Sequence, residues 1–178
     1  AYDLYNIIET KCRDEKGYLE AFTRDFKPAS NEKLSENGVM AGRTMNTLLH
    51  VFEAYTELYR VTADEKVKGK LCDILNLFAD KMYNPEKKRQ EVFFDMDYNT
   101  LIDLHSYGHD IETSWLIDRG IEIIGMQEKR HGIADGVYQK LYDKLTPITK
   151  ALTKHVYDEA FNGNSLANEC ERGVVNTT

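Results

Sequence analysis

Four long stretches of apolar side chains at helical spacing constrain the fold of this chain more than any other feature. In residues 45–60, for example, Leu48, Phe52, Tyr55 and Tyr59 recur every three or four positions. Side chains at this spacing lie on one side of an α-helix, where they can be buried against a neighbour. The sequence therefore predicts an all-α protein whose helices pair along broad apolar faces.

The predicted helices follow one another along the whole chain. They cover residues 2–15, 45–60, about 65–82, 107–124 and about 133–157. Gly17 is expected to end the first helix, Gly125 to end the fourth, and Pro147 either to kink the last or to begin a fresh helix. Short strands or hairpins are expected at helix ends, in residues 17–26 and 91–95, with a turn at 158–164 and an irregular tail at 169–178. No repeat or linker divides the chain, so residues 1–178 are expected to form a single domain.

Composition and charge argue against several classes of partner. The formal net charge is −7 over 178 residues, which argues against a surface for nucleic acid or for an anionic membrane. No apolar run is long enough to cross a bilayer and no signal peptide is visible, so a cytoplasmic protein is expected. Cys12, Cys72 and Cys170 are odd in number and widely spaced, which indicates reduced thiols rather than a disulfide framework or a zinc site.

Residues that can do chemistry concentrate in one short stretch, which reads HSYGHDIETSWL at residues 105–116. His109 and Glu112 are three apart in it, and residues at that spacing share a helix face. A carboxylate beside an imidazole raises the pKa of the imidazole and orients the ring, which suits a group that transfers protons. We therefore expect His109 to act as an acid/base group that Glu112 supports. A purely structural role for the pair is the alternative.

A metal site is a second interpretation of the same stretch. His105 and His109 are four apart, and two histidines at that spacing on a helix can bind a metal. However, Gly108 and a helix start near Ser106 place His105 in the preceding loop. No metal site is therefore predicted. The sequence also contains no glycine-rich phosphate loop and no Gly-x-Ser-x-Gly motif.

Asn46 and His50 form a further candidate pair, since they are four apart on a helix whose neighbouring positions are apolar. A buried pair of this kind needs hydrogen-bond partners, so a satisfied core pair is one interpretation. The functional interpretation is that both side chains point into the same cavity as His109.

Several aromatic side chains could stack on the apolar face of a sugar ring. Tyr107 is retained as a candidate substrate contact. For Trp115, Tyr55 and Tyr59 we expect core packing, because aromatic residues at helical spacing are usually buried between helices.

Two of these segments resemble one known family. MNTLLHVFEAYTELYR at residues 45–60 and SYGHDIETSWL at 106–116 together resemble the N-acylglucosamine 2-epimerase superfamily, and within it the cellobiose 2-epimerase branch. GYLEAFTRD at 17–25 and FNG at 161–163 are similar to hairpin segments of the same family. The resemblance therefore covers essentially the whole chain.

The resemblance implies part of an (α/α)6 barrel, in which twelve helices form two concentric rings, with short β-hairpins at helix ends and the sugar site at one end. It also implies that the chain is a central fragment, about half of the family's domain. The family's arginine near its amino terminus, its second acid/base histidine and its WWxQAE segment are absent from this sequence. The site is therefore expected to be incomplete in these residues alone.

The resemblance also implies roles for individual residues. His109 would be one of two acid/base residues, with Glu112 assisting it. Asn46 would contact the substrate, and His50 would be an assisting imidazole. Ser35 would correspond to a serine that reaches the sugar. No cofactor is implied, the partner is a small-molecule sugar, and the protein is expected to be a monomer or a homodimer.

The implied reaction is epimerisation at C2 of the reducing-end hexose of a β-1,4-linked disaccharide such as cellobiose or mannobiose. Ring opening exposes an aldehyde, one base removes the C2 proton, and the resulting enediolate is reprotonated on its other face. Close alternatives are an N-acylglucosamine 2-epimerase and a mannose isomerase. Two others are an (α/α)-barrel glycoside hydrolase and a non-catalytic helical scaffold. The hydrolase needs two carboxylates flanking the bond, and Asp110 and Glu112 point to different sides of a helix.

Overall fold

Five α-helices dominate the part of the chain that the structure describes. The computed structural model describes residues 1–32, 38–134 and 136–176, with Asn176 described by its backbone only. The helices are α1 (Tyr2–Lys11), α2 (Met45–Thr62), α3 (Glu65–Leu77), α4 (Tyr107–Arg130) and α5 (Tyr138–Ala160), and a π-helical turn at Phe78–Met82 extends α3. The predicted helix-rich fold is therefore confirmed, as are the five helices in their predicted order.

Short antiparallel strands lie at the ends of these helices. They are β1 (Arg43–Thr44), β2 (Tyr83–Asn84), β3 (Arg89–Gln90), β4 (Phe93–Phe94), β5 (Leu104–Ser106), β6 (Glu169–Glu171) and β7 (Val174–Asn176). Strand β1 pairs with β4, β2 pairs with β3, and β5, β6 and β7 form a three-stranded sheet in that order. The predicted hairpin at 17–26 is reduced to isolated bridges, Arg13 to Tyr18 and Phe22 to Pro28.

Helices α2 and α4 run parallel to each other. Near their starts, the Thr113 hydroxyl donates to Met45 Sδ at 3.6 Å. In the middle, Gly120 leaves space for the Phe52 ring, which a Cβ at that position would overlap. Near their ends, Gln127 Nε2 donates to the carbonyl of Arg60 at 2.8 Å. Residues of α2 and α4 that contact each other are thus 67 or 68 apart in the sequence, from the start of the two helices to their end.

Each of these two helices forms an antiparallel pair with the helix that follows it. Between α2 and α3, the Phe52 and Phe78 rings meet edge to face at 5.7 Å. Between α4 and α5, the Thr149 hydroxyl donates to Asp118 Oδ1 at 3.0 Å. The main core lies between these helices and is built from fully buried side chains. They include Met45, Leu49, Phe52, Val67, Leu71, Ile74, Phe78, Ile117, Ile124 and Leu145.

The two ends of the helical pairs differ in how the chain connects them. Residues 63–64 join α2 to α3 and residues 131–137 join α4 to α5, so we call this the turn end. At the other end, residues 12–44 lead into α2 and residues 83–106 lead into α4. Strands β1 to β5 belong to these two connections, so we call this the strand-bearing end.

Gly125 does not end the fourth helix, contrary to the prediction. Helix α4 continues to Arg130, and the ring of Tyr138 occupies the space that a Cβ at Gly125 would need. The glycine therefore allows α5 to approach α4 closely. Pro147 lies inside α5, which runs on to Ala160, so it does not begin a fresh helix.

The expected irregular tail is also wrong. Residues 169–171 and 174–176 form β6 and β7, and β6 pairs with β5 so that Cys170 lies opposite His105. All three cysteines are free. Among the described residues, no helix combines the length and the apolar character that crossing a bilayer requires.

Candidate active site

The starts of α2 and α4 lie together at the strand-bearing end because the two helices are parallel. Helix α2 begins with a standard cap, in which Thr44 Oγ1 accepts the backbone N–H of Thr47 at 3.1 Å. Helix α4 follows directly from strand β5, and Ser106 is its N-cap residue. Both helix starts therefore present their positive dipole ends to the same region.

One open surface runs across both helices from this end. The side chains that form this surface are three or four residues apart on α2, and those on α4 have the same spacing. Each helix therefore contributes one row of side chains from one of its sides. The Arg119 side chain of α4 donates from Nε to Glu57 Oε1 of α2 at 3.0 Å and joins the two rows. We call this surface the shared face, and its side chains, all exposed or half-buried, are those of Asn46, His50, Glu53, Glu57, Glu112, Trp115 and Arg119.

His109 is half-buried in the first turn of α4. Its Nδ1 lies 2.7 Å from the hydroxyl oxygen of Ser106. Among the described residues, the hydrogen bond of the ring is therefore to Ser106 and not to Glu112, which sequence spacing had suggested as its partner. Glu112 lies on the next turn, half-buried at the edge of the shared face. The other ring nitrogen, Nε2, has no hydrogen-bond partner among the described residues.

Asn46 and His50 are both exposed on the first two turns of α2. They are therefore not a buried core pair. His50 Nδ1 lies 3.3 Å from Glu53 Oε2, a contact between side chains that are about half exposed. Both residues lie at the same end of the molecule as His109, on an open surface.

Trp115 also lies on the shared face, contrary to the expectation of core packing. Its side chain is 52% exposed, whereas the Tyr55 and Tyr59 side chains are 2% and 1% exposed, as expected for core residues. An exposed indole one turn beyond Glu112 can offer its flat face to the apolar side of a sugar ring.

A buried histidine–carboxylate pair lies behind the first turn of α4. His105 Nε2 is 2.7 Å from Asp110 Oδ2, and the two side chains are 5% and 1% exposed. Asp110 Oδ1 accepts the backbone N–H of Gln90 at 3.1 Å. Burial raises the pKa of the Asp110 carboxyl, while the hydrogen bond with His105 opposes that rise. The pair ties strands β3 and β5 to the start of α4.

His155 of α5 packs against the same pair. Its ring stacks on that of His105 at 5.2 Å between centroids, with 7° between the planes. Burial lowers the pKa of His155, and the neighbouring His105 lowers it further. His105 is therefore enclosed in the fold rather than held in a loop as predicted.

Two predicted substrate contacts lie elsewhere. Tyr107 is 4% exposed, with its ring centroid 4.2 Å from that of His105, so it is not part of the shared face in this structure. Burial raises the pKa of its hydroxyl. Ser35 lies outside the described residues. Within residues 1–32, 38–134 and 136–176, no group of three or more histidine, cysteine, aspartate or glutamate side chains is arranged to hold a metal ion.

Proteins of known function resemble this chain closely. Cellobiose 2-epimerase of Eubacterium cellulosolvens is 48% identical over 190 aligned positions, which cover 98% of this chain and 44% of that relative. Cellobiose 2-epimerase of Dictyoglomus turgidum is 39% identical over 175 positions, covering 98% of this chain and 42% of the relative. The chain is homologous to part of the cellobiose 2-epimerases. No protein-family model matches it.

Solved structures of cellobiose 2-epimerase and of a related sugar epimerase agree with that assignment. A sugar epimerase from a ruminal bacterium superposes with a TM-score of 0.89 at 37% identity, covering 99% of this chain and 42% of that structure. Cellobiose 2-epimerase from Bacillus thermoamylovorans superposes with a TM-score of 0.81 at 39% identity, with the same coverage. The chain thus spans less than half the length of the isomerases that it matches.

Sequence reasoning missed Ser106 as a neighbour of His109. The signal was present in the spacing, because Ser106 precedes His109 by three residues at the predicted start of a helix. A serine at that position usually caps the helix, so the spacing alone did not indicate a contact with the imidazole. The exposure of Trp115 could not be read from the pattern, since its spacing is that of a core residue.

Proposed function

We propose that this chain supplies part of the active site of a sugar 2-epimerase. The reaction would invert C2 of the reducing-end hexose of a β-1,4-linked disaccharide of the cellobiose or mannobiose type. The observation that carries the proposal is the parallel packing of α2 and α4. It brings Asn46, His50 and His109 to one end of the molecule, in a chain whose relatives are cellobiose 2-epimerases.

In this proposal, His109 exchanges a proton with C2 through Nε2. The C2 proton of the ring-opened sugar is acidic because it lies beside the C1 carbonyl, and an imidazole nitrogen can both accept and donate a proton, so it can serve as base and as acid. Glu112 lies one turn further along the same helix and would assist. The second acid/base group would lie in the part of the relatives' length that this chain does not span.

Negative charge that develops on the C1 oxygen must be stabilised in the enediolate. Asn46 and His50 carry side-chain N–H groups that can donate hydrogen bonds to it or to neighbouring hydroxyls. The starts of α2 and α4 both point toward this region, and their dipoles favour an anion there. Trp115 would form an apolar wall against the sugar.

The helix directions support a barrel for the whole protein. Helices α2 and α4 run one way and their partners α3 and α5 run the other, as in a ring of antiparallel pairs. We propose that residues 1–178 form a single unit of an (α/α)6 barrel, with α2 and α4 in its inner ring. The shared face would then line the interior of the barrel.

The test is product analysis with the full-length protein that carries this chain. Incubation with cellobiose and, separately, with mannobiose is followed by NMR of the anomeric protons. We expect a glucosyl-mannose product from cellobiose. Free glucose would instead indicate a hydrolase, a reducing-end fructose would indicate an aldose–ketose isomerase, and conversion of N-acylglucosamine alone would indicate an N-acylglucosamine 2-epimerase. An unchanged mixture with every sugar would contradict the proposal.

A further inference from the structure

The hydroxyl of Ser106 is used in an unusual way for its position. Ser106 is the N-cap residue of α4, and an N-cap serine normally accepts a backbone N–H from the first turn of the helix. Here its side chain makes no such hydrogen bond. The hydroxyl oxygen instead lies 2.7 Å from Nδ1 of His109. The hydroxyl that would ordinarily cap the helix is thus directed to the proposed catalytic ring.

The position of Ser106 is fixed independently of His109. Ser106 is the last residue of β5, where it lies opposite Glu169 of β6. The buried pair of His105 and Asp110 spans the junction between β5 and α4 at 2.7 Å. The backbone of Ser106, from which the hydroxyl projects, is therefore held by the sheet on one side and by this buried pair on the other. A group held in this way can orient a neighbour rather than follow it.

A proton-transferring histidine needs a defined tautomer. If Nε2 is to accept a proton from the substrate, Nδ1 must carry the other proton, and that N–H needs an acceptor. When the ring is protonated and acts as an acid, Nδ1 still carries its proton. A serine hydroxyl oxygen can accept from Nδ1–H in both states. Unlike a carboxylate, it adds no charge that would bind the proton more tightly.

We propose that Ser106 is the positioning residue of His109. It accepts the Nδ1–H of the ring, fixes the tautomer that has a free Nε2, and directs that nitrogen toward the shared face. Glu112 has no contact of this kind with the ring in the described residues. The catalytic consequence of this assignment rests on the proposed function, whereas the tautomer and its dependence on Ser106 do not.

The test combines two readouts on three serine variants of the full-length protein. Ser106→Ala removes the hydroxyl and Ser106→Thr retains it. Ser114→Ala is the matched control, because Ser114 lies on the same helix and donates to the carbonyl of Asp110 at 2.8 Å without contacting His109. Thermal unfolding of each variant is recorded alongside, so that a loss of fold is recognised.

The first readout is the tautomer of His109, observed by long-range proton–nitrogen NMR with nitrogen-15 histidine. The His109 signals are identified by their absence in His109→Gln. We expect the Nδ1–H tautomer in the unmodified protein, in Ser106→Thr and in Ser114→Ala, and a mixture of tautomers in Ser106→Ala. An Nε2–H tautomer in the unmodified protein would overturn the proposal even if Ser106→Ala failed to fold.

The second readout is the rate of epimerisation. We expect Ser106→Ala to lower kcat about 3- to 10-fold, the worth of one hydrogen bond, with KM nearly unchanged and with the rate restored in Ser106→Thr. Unchanged kcat and an unchanged tautomer in folded Ser106→Ala would contradict the proposal. If the unmodified protein epimerises no sugar, the proposed function fails, and the tautomer measurement still decides the role of Ser106.

Discussion

Each end of the parallel helices buries a carboxylate that contacts a side-chain nitrogen, but the two contacts serve different purposes. At the turn end, Lys68 Nζ lies 3.2 Å from Glu128 Oε1. The two oxygens of Glu128 also accept the backbone N–H groups of Val137 and Tyr138, at 2.8 and 3.2 Å, so this carboxylate caps the start of α5. Glu128 therefore closes the turn between α4 and α5 and ties it to α3.

At the strand-bearing end, the buried pair of His105 and Asp110 supports a neighbouring group that remains accessible. His109 lies beside Asp110 in the sequence, half-buried, with Nδ1 at Ser106. The long connections at this end contain strands β3 and β5, which contact the start of α4 through Gln90 and His105. At the turn end, the buried polar groups are used to hold the connection between two helices. At the strand-bearing end, the strands hold the start of α4, and the side chain of His109 stays accessible.

The largest expected effect is a difference in kcat between variants of two histidines, one at the start of α4 and one directly after its end. His109→Gln should lower kcat for epimerisation by about 10²- to 10⁴-fold, the usual contribution of a general acid/base group. The matched control is His131→Gln, because His131 is an exposed residue at the turn end, directly after α4. Steady-state kinetics should show no change in the control. Equal losses in both variants would remove the distinction between the two ends.

The second prediction compares the two buried pairs. Glu128→Ala leaves Lys68 with only the exposed Glu65, at 3.4 Å, and removes the acceptor of two backbone N–H groups, so it should reduce the free energy of unfolding by about 1–3 kcal/mol. Asp110→Ala should cost a similar amount, because it removes the buried acceptor of the Gln90 backbone N–H and the buried partner of the His105 ring. Denaturant unfolding measures both. In the folded fraction, kcat should fall only in Asp110→Ala, since that pair holds the residues around His109. A loss of kcat in Glu128→Ala would contradict the comparison.

The third prediction concerns the ion pair that joins the rows of the shared face. Arg119 and Glu57 are 43% and 41% exposed, and pairs of this kind contribute about 0.2–1 kcal/mol. A double-mutant cycle with Arg119→Ala and Glu57→Ala should give a coupling energy in this range that decreases with added salt. A coupling energy well above that range would show that the face is closed off from water.

The smallest expected effect is on the acid sensitivity of the strand-bearing end. The side chains of Lys87 and Arg89 hydrogen-bond to Asp103 and lower the pKa of its carboxyl to about 2. Because the folded-state pKa lies below the ordinary value of 3.8, the contribution of Asp103 to stability is complete above that value and is lost as the pH falls toward 2. Asp103→Asn should therefore lose less stability than the unmodified protein between pH 4 and pH 2 in denaturant titrations. Parallel losses in the two proteins would contradict this assignment.

Much of the fold could be predicted from the sequence because it depends on local periodicity. Helix α2 was expected at residues 45–60 and is found at Met45–Thr62, since its apolar residues repeat at helical spacing. Gly125 was misread as a helix end because a glycine at a helix terminus and a glycine in a helix–helix contact look alike in sequence. Only the approach of Tyr138 distinguishes them.

The parts that could not be predicted depend on contacts between distant residues. The tail was expected to be irregular, yet Cys170 pairs with His105, which lies 65 residues earlier. The burial of His105 follows from that pairing and from Asp110. The spacing of His109 and Glu112 indicated a shared helix face, but a side chain chooses its partner by distance, and Ser106 is within hydrogen-bonding reach.

The most direct test of this account is deuterium exchange at C2. The full-length protein is incubated with cellobiose in heavy water, and the C2 proton of the reducing-end sugar is followed by NMR. We predict that deuterium enters C2 as the glucosyl-mannose product forms, and that His109→Gln slows product formation by about 10²- to 10⁴-fold while His131→Gln leaves it unchanged. Product formation without deuterium at C2, or product formation at the unmodified rate in His109→Gln, would contradict proton transfer by His109 at the strand-bearing end.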